Sequence, residues 1–154
     1  MDTIRDNTNP VEAAKVALLR GTGIGLNWFT AIQAGMAAAQ EVCHGLSKRS
    51  GWWNNKDGSA IDTNDPLVFG TKVALIHSEV SEAMEGGRKG KMDDHLPHRK
   101  AEEVELADAI IRIMDLAGAR KLDVAGAIIE KLAYNQQRAD HKPENRALAG
   151  GKAF

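Results

Sequence analysis

Cysteine, aromatic residues and an excess of either charge are all scarce in this chain, and each scarcity removes a class of protein. Cys43 is the sole cysteine, so no intramolecular disulfide forms, which fits a reducing compartment. Aromatics are only 5% and no stretch alternates apolar and polar residues for long, so few strands are expected. Net charge is −1, which leaves no basic field to hold a nucleic-acid polymer by its phosphates. No apolar run approaches the roughly 20 residues that cross a bilayer. Asp2, Arg5, Asp6, Glu12 and Lys15 interrupt any signal-peptide apolar segment. The expectation is a soluble, cytoplasmic chain with no nucleic-acid or membrane partner. With 154 residues, 43% hydrophobic and 27% charged, it has a globular balance. A chain of that length buries roughly 68–70% of its unfolded surface and folds without disulfide or metal.

Good helix formers dominate. Asn9-Pro10 reads as a cap followed by proline at the first helical position, opening a short helix that stops at Gly21. The glycine-rich segment 21–25 has no preceding strand and no Gly-Lys-Ser/Thr, so it reads as a flexible connector and not a phosphate loop. A second, alanine-rich helix is expected over 28–48, with Asn27 as its cap, then a loop over 49–65. Asp65-Pro66 starts a third helix that Gly86-Gly87 should end. Residues 88–98 read as a charged, mobile loop. A fourth helix follows over 99–117, closed by Gly118, and Asp123 caps a fifth over 124–139. The expected organisation is an N-terminal extension (1–26) with a short helix, one domain (27–142) and a tail (143–154). The fold class is all-α, with four main helices building a bundle core whose sites come from facing side chains.

Polar groups interrupt the apolar faces of these helices. Phe69, Val73, Ile76, Val80 and Ala83 form one stripe expected to point inward on the third helix. Glu79 falls on its flank, and Glu82 follows one turn later. On the fourth helix the expected inward arc is Leu106, Ala109, Ile110, Ile113, Leu116 and Ala117. Glu105 sits at the edge of that arc, with Asp108 three residues on. Glu79-x-x-Glu82 and Glu105-x-x-Asp108 thus put two carboxylate pairs beside packing stripes on consecutive helices. Carboxylates there are costly unless paired or bound to cations. Four oxygen donors without histidine or cysteine make a hard site, suited to Mg²⁺ or Mn²⁺ and not zinc. On the fifth helix Val124 and Ile128 begin an inward stripe, and Lys131, Asn135 and Arg138 continue on that face. They read either as snorkelling side chains or as ligands of phosphate and base.

These motifs resemble the MazG-like family of all-α nucleotide pyrophosphohydrolases, whose pattern is Glu-x-x-Glu, a gap of a couple of dozen residues, then Glu-x-x-Asp. Here Glu79-Val-Ser-Glu82 and Glu105-Leu-Ala-Asp108 are separated by 22 residues, and Lys131-Leu-Ala-Tyr-Asn135-Gln-Gln-Arg138 is similar to a third block. The resemblance covers roughly residues 27–142. It implies hydrolysis of a nucleoside triphosphate to monophosphate and pyrophosphate by a Mg²⁺-dependent four-helix core that is usually a homodimer or homotetramer. It also implies Glu79, Glu82, Glu105 and Asp108 as catalytic metal ligands, with Lys131, Asn135 and Arg138 toward substrate. Arg112 departs from relatives that carry an aromatic or apolar residue there. It either grips a phosphate or pairs with Asp108 or Asp115. Arg88, Lys89 and Lys91 either close over the leaving pyrophosphate or form a solvated basic loop.

Trp52 and Trp53 lie in the loop before the first carboxylate helix and are candidates for stacking on a base. His77 reads as packing or surface, and Cys43 as a small core residue. A phosphoribosyl-ATP pyrophosphohydrolase of the same superfamily and a non-catalytic helical interaction module are the alternatives. A di-iron bundle needs Glu-x-x-His on two helices, and only Glu41-Val-Cys-His44 offers one.

Overall fold

A computed structural model describes residues 9–22 and 25–151. Asp2, Arg5 and Asp6, and the middle of the 21–25 connector, lie outside the described residues. The chain is all-α. Helices α1 (Pro10–Thr22), α2 (Leu26–Arg49), α3 (Pro66–Lys89), α4 (Ala101–Ala119) and α5 (Val124–Gln137) are followed by a 3-10 turn, Ala139–His141, and a short α6, Pro143–Arg146. Among the described residues there is no strand, only isolated bridges between Asn54 and Ala60 and between Met92 and Lys100. No described helix is long and apolar enough to cross a membrane.

The caps follow the chemistry of the residues. Asn9 Oδ1 accepts from Val11 N at 3.0 Å, and Asp65 Oδ1 accepts from Leu67 N at 2.8 Å ahead of Pro66. Asp123 Oδ1 accepts from Gly126 N at 2.8 Å. Asn27 is not a cap, because α2 already starts at Leu26.

The glycine pair Gly86-Gly87 does not end α3. The helix runs through it to Lys89 and closes on Gly90, whose φ of 62° is left-handed. Gly86 instead marks a close approach. A Cβ there would stand 3.0 Å from both Ala101 Cβ and Glu102 N. The 88–98 connection is likewise ordered by hydrogen bonds and is not an open loop. Asp93 is buried, its Oδ1 accepts from His95 N (2.9 Å) and Leu96 N (2.6 Å), and its own N–H donates to Arg99 O (3.0 Å). Those amides hold the Asp93 carboxyl below its usual value.

The described residues divide into two compact units. One is residues 38–122, which hold the end of α2, the 50–65 loop, α3 and α4. The other combines the described residues up to 37 with those from 123 onward. In the second unit α1 packs on α5, and Ile129 is fully enclosed among Ala14, Leu18, Phe29 and Ala133.

Within 38–122 the α3–α4 hairpin packs differently from the apolar pattern. Ala83 is buried and Val73 and Ile76 partly so, yet Phe69 and Val80 are exposed. On α4, Ala109, Leu116 and Ala117 are buried, whereas Leu106 (52%), Ile110 (55%) and Ile113 (38%) face outward. The seam is made by Glu79, Ala83 and Gly86 on α3 against Ala101, Glu105, Asp108, Arg112 and Asp115 on α4, each series at steps of three and four. Small residues bring the axes together, so the bulky apolar stripe is turned away from the hairpin contact.

α4 also runs through Gly118 to Ala119. A Cβ at Gly118 would meet His44 Cβ at 2.5 Å and His44 Cγ at 3.0 Å. An exposed helical Gly→Ala change gains roughly 1 kcal/mol. Here Gly118→Ala should instead destabilise by about 1–3 kcal/mol through overpacking, read as a lower urea midpoint. A higher midpoint would mean that α2 and α4 are not in this contact.

Candidate metal centre and adjoining cavity

The hairpin seam gathers three of the four expected carboxylates. Glu79, Glu105 and Asp108 each offer an oxygen lying within 4.8 Å of the others'. That spacing is close to the about 4.2 Å separating opposite ligands of Mg²⁺. Glu82 is exposed and outside this group. It is still near enough for its charge to act on Glu105. No histidine joins the trio.

Arg112 crosses the seam. Its Nε donates to Glu79 Oε1 at 2.6 Å, with Glu79 buried and Arg112 part-exposed. Of the two expectations for this arginine, pairing is observed, but with Glu79 and not with Asp108 or Asp115. Asp108 and Asp115 stand one turn away on Arg112's own helix, whereas Glu79 meets it from α3.

Two full negative charges 4.8 Å apart repel by roughly 3 kcal/mol at the effective dielectric of a protein surface. Three carboxylates against one guanidinium leave a formal surplus of two negative charges. Burial, then the charges of Glu82 and Glu79, push the Glu105 carboxyl above its ordinary value. Burial and Glu79 push Asp108 upward too, against the pull of Arg112. An all-oxygen donor set with this surplus fits a hard divalent cation.

Beside the trio lies an open cavity of about 760 Å³. Asp108 and Arg112 belong to its wall, so the carboxylate seam and the cavity are continuous. Val42, Leu46, Leu75 and Ile111 make the wall largely apolar, with Trp52 at its edge. The floor is organised by Asp115, a buried carboxylate that the sequence reading considered only as a partner for Arg112. Trp53 Nε1 donates to Asp115 Oδ1 at 2.7 Å, and Ser47 Oγ donates to Oδ2 at 2.9 Å. His44 Nδ1 faces Oδ1 at 3.0 Å. Lys72 Nζ stands 3.8 Å from Oδ2 and 4.1 Å from the centre of the Trp53 ring. The 4-3-4-3 spacing of Ala101, Glu105, Asp108, Arg112 and Asp115 was the signal available for Asp115. Nothing in the spacing of His44, Ser47 or Lys72 announced them.

The remaining candidates separate clearly. Trp52 is 70% exposed and lines the cavity, whereas Trp53 is 5% exposed with its indole committed to Asp115. Trp52 is therefore the tryptophan with a face to offer, and Trp53 is a support. Cys43 lines the cavity half-buried, and burial, then the Asp115 charge, raises its thiol pKa. His77 is exposed. Arg88 forks onto Glu85 at 2.8 and 2.9 Å, and the hydrogen bonds from Arg88 and Lys89 draw the Glu85 carboxyl down to about 2. Lys131, Asn135 and Arg138 belong to the other unit. There Lys131 Nζ lies 4.6 Å from the centre of the Tyr134 ring and Arg138 pairs with Asp140. Asn135 Oδ1 is buried without a hydrogen-bond partner among the described residues.

No protein-family model, no characterised protein and no solved structure matches the chain. The resemblance noted above therefore rests on the motifs alone.

A carboxyl whose pKa is raised on folding adds stability in full below its unfolded value. That stability is lost as pH rises through the folded value. For Glu105 the loss falls at and just above the ordinary carboxyl range. Without divalent ions, Glu105→Gln should melt above the wild type at pH 7 by the equivalent of less than about 1 kcal/mol. The advantage should shrink toward about pH 3.5. A gap independent of pH in thermal unfolding would contradict the crowding of charge at the seam.

Proposed function

We propose that this protein hydrolyses nucleoside triphosphates to the monophosphate and pyrophosphate, with Mg²⁺ or Mn²⁺ held at the α3–α4 seam. The observation that carries the reading is the continuity of an all-carboxylate trio with a largely apolar cavity. A triphosphate needs a hard cation for its phosphates, and a base needs an apolar slot nearby. Glu79, Glu105 and Asp108 would hold the ion, and Glu82, one turn from Glu79, is the fourth carboxylate of the motif. The cation would neutralise phosphate charge and acidify a water for in-line attack at the α-phosphorus.

The chain's own residues do the remaining work. Asp108 belongs both to the trio and to the cavity wall, so it fixes the reacting phosphate relative to the base. Trp52 offers an exposed ring for stacking. Asp115, held from four sides, keeps Trp53 in place beside the slot and Lys72 in its wall. Lys131, Asn135, Arg138 and Arg88 enter the reading through the motif resemblance. Self-association belongs to the same proposal. Leu106, Ile110 and Ile113 form an exposed apolar stripe of the kind that a second copy covers.

Purified protein with Mg²⁺ and each common NTP and dNTP should release pyrophosphate and a monophosphate. Asp108→Ala should lower kcat by about a hundredfold or more. Trp52→Ala should mainly raise KM, as expected from losing a stack of roughly 1–3 kcal/mol. Release of orthophosphate and diphosphate would mean the wrong bond has been assigned. No turnover and no cation binding would favour a non-catalytic helical module.

A further inference from the structure

Arg112 belongs to both halves of the site, and its present contact uses little of its capacity. Its Nε holds Glu79 Oε1 at 2.6 Å. Among the described residues its two terminal nitrogens make no hydrogen bond, and the side chain is 43% exposed on the cavity wall. A guanidinium held by Nε alone keeps its paired donors for a planar or tetrahedral anion, and phosphate takes such a fork well. Glu79 is also the most buried carboxylate of the trio. Arg112 thus occupies one oxygen of a carboxylate that a cation at the seam would use, and two positive groups do not crowd one carboxylate without mutual repulsion.

We infer that Arg112 is an exchangeable cation of this site: it competes with the divalent ion for Glu79 and, once displaced, binds a phosphate of the substrate in the cavity it lines. The inference rests on the metal-dependent reading above but makes a separate claim about sign. If Arg112 merely positioned Glu79, removing it would loosen cation binding. As a competitor, its removal tightens cation binding while weakening the grip on phosphate. Ordered in this way, the residue couples the two ligands. The cation frees the arginine, and the freed arginine favours the polyphosphate that arrives with the cation.

The test is calorimetric titration of the full chain, first with Mn²⁺ alone and then with inorganic tripolyphosphate in saturating Mn²⁺. Arg112→Gln should bind Mn²⁺ roughly three- to tenfold more tightly than wild type, the scale of a charged hydrogen bond discounted for exposure. It should bind tripolyphosphate about tenfold more weakly. Arg112→Lys keeps the charge but not the fork. It should stay within about twofold of wild type for Mn²⁺ and still lose tripolyphosphate affinity. That variant carries the test if Arg112→Gln does not fold. Weaker Mn²⁺ binding by Arg112→Gln, or unchanged tripolyphosphate binding by either variant, overturns the inference and leaves the cation site standing. Failure of the wild type to bind Mn²⁺ overturns both.

Discussion

Like charges gathered at a helix seam are the constraint around which residues 38–122 are arranged. Two carboxylate environments on α4 show how. Asp115 is surrounded by donors from Trp53, Ser47, His44 and Lys72, and its charge is fully answered by the protein. About two and three turns away, Asp108 and Glu105 face Glu79, and Arg112 is the charged donor that reaches this trio among the described residues. A chain able to satisfy one buried carboxylate so completely leaves three others with surplus charge. The difference separates Asp115, a satisfied support, from the trio, on which the proposed cation site rests.

Placing that charge has a consequence for packing. Side chains able to tolerate it must be small or cationic, so the seam takes Ala83, Gly86, Ala101 and Arg112 in place of large apolar groups. Leu106, Ile110 and Ile113 are then displaced to the outside of the hairpin. The apolar surface of α4 and the acidic site are two outcomes of one rotation of the helix about its axis.

Much of this was legible in the residues. Caps at Asn9, Asp65 and Asp123 obey local hydrogen-bond chemistry, and the all-α class follows from composition and the lack of alternation. Hydrophobic periodicity misassigned the hairpin face because it weighs bulk, whereas close helix approach depends on small residues that carry little weight in the pattern. Gly86 and Gly118 looked like stops for the same reason. A glycine that ends a helix and one that admits a neighbour are alike until the neighbour is known. The trio was readable because its members recur at helical spacing. The Asp115 floor was not, since His44, Ser47, Trp53 and Lys72 come from three separate segments. Trp52 and Trp53 are adjacent in sequence, and only the fold assigns one to the cavity edge and the other to its foundation.

The central claim is that the carboxylate seam of α3 and α4 is a divalent-cation site. Crystals grown with Mn²⁺ and examined by anomalous scattering at the manganese edge test it most directly. The account predicts an anomalous peak bonded to oxygens of Glu79, Glu105 and Asp108, with Arg112 no longer on Glu79. Well-ordered density with no peak at the seam, and Arg112 still hydrogen-bonded to Glu79 Oε1, would contradict it.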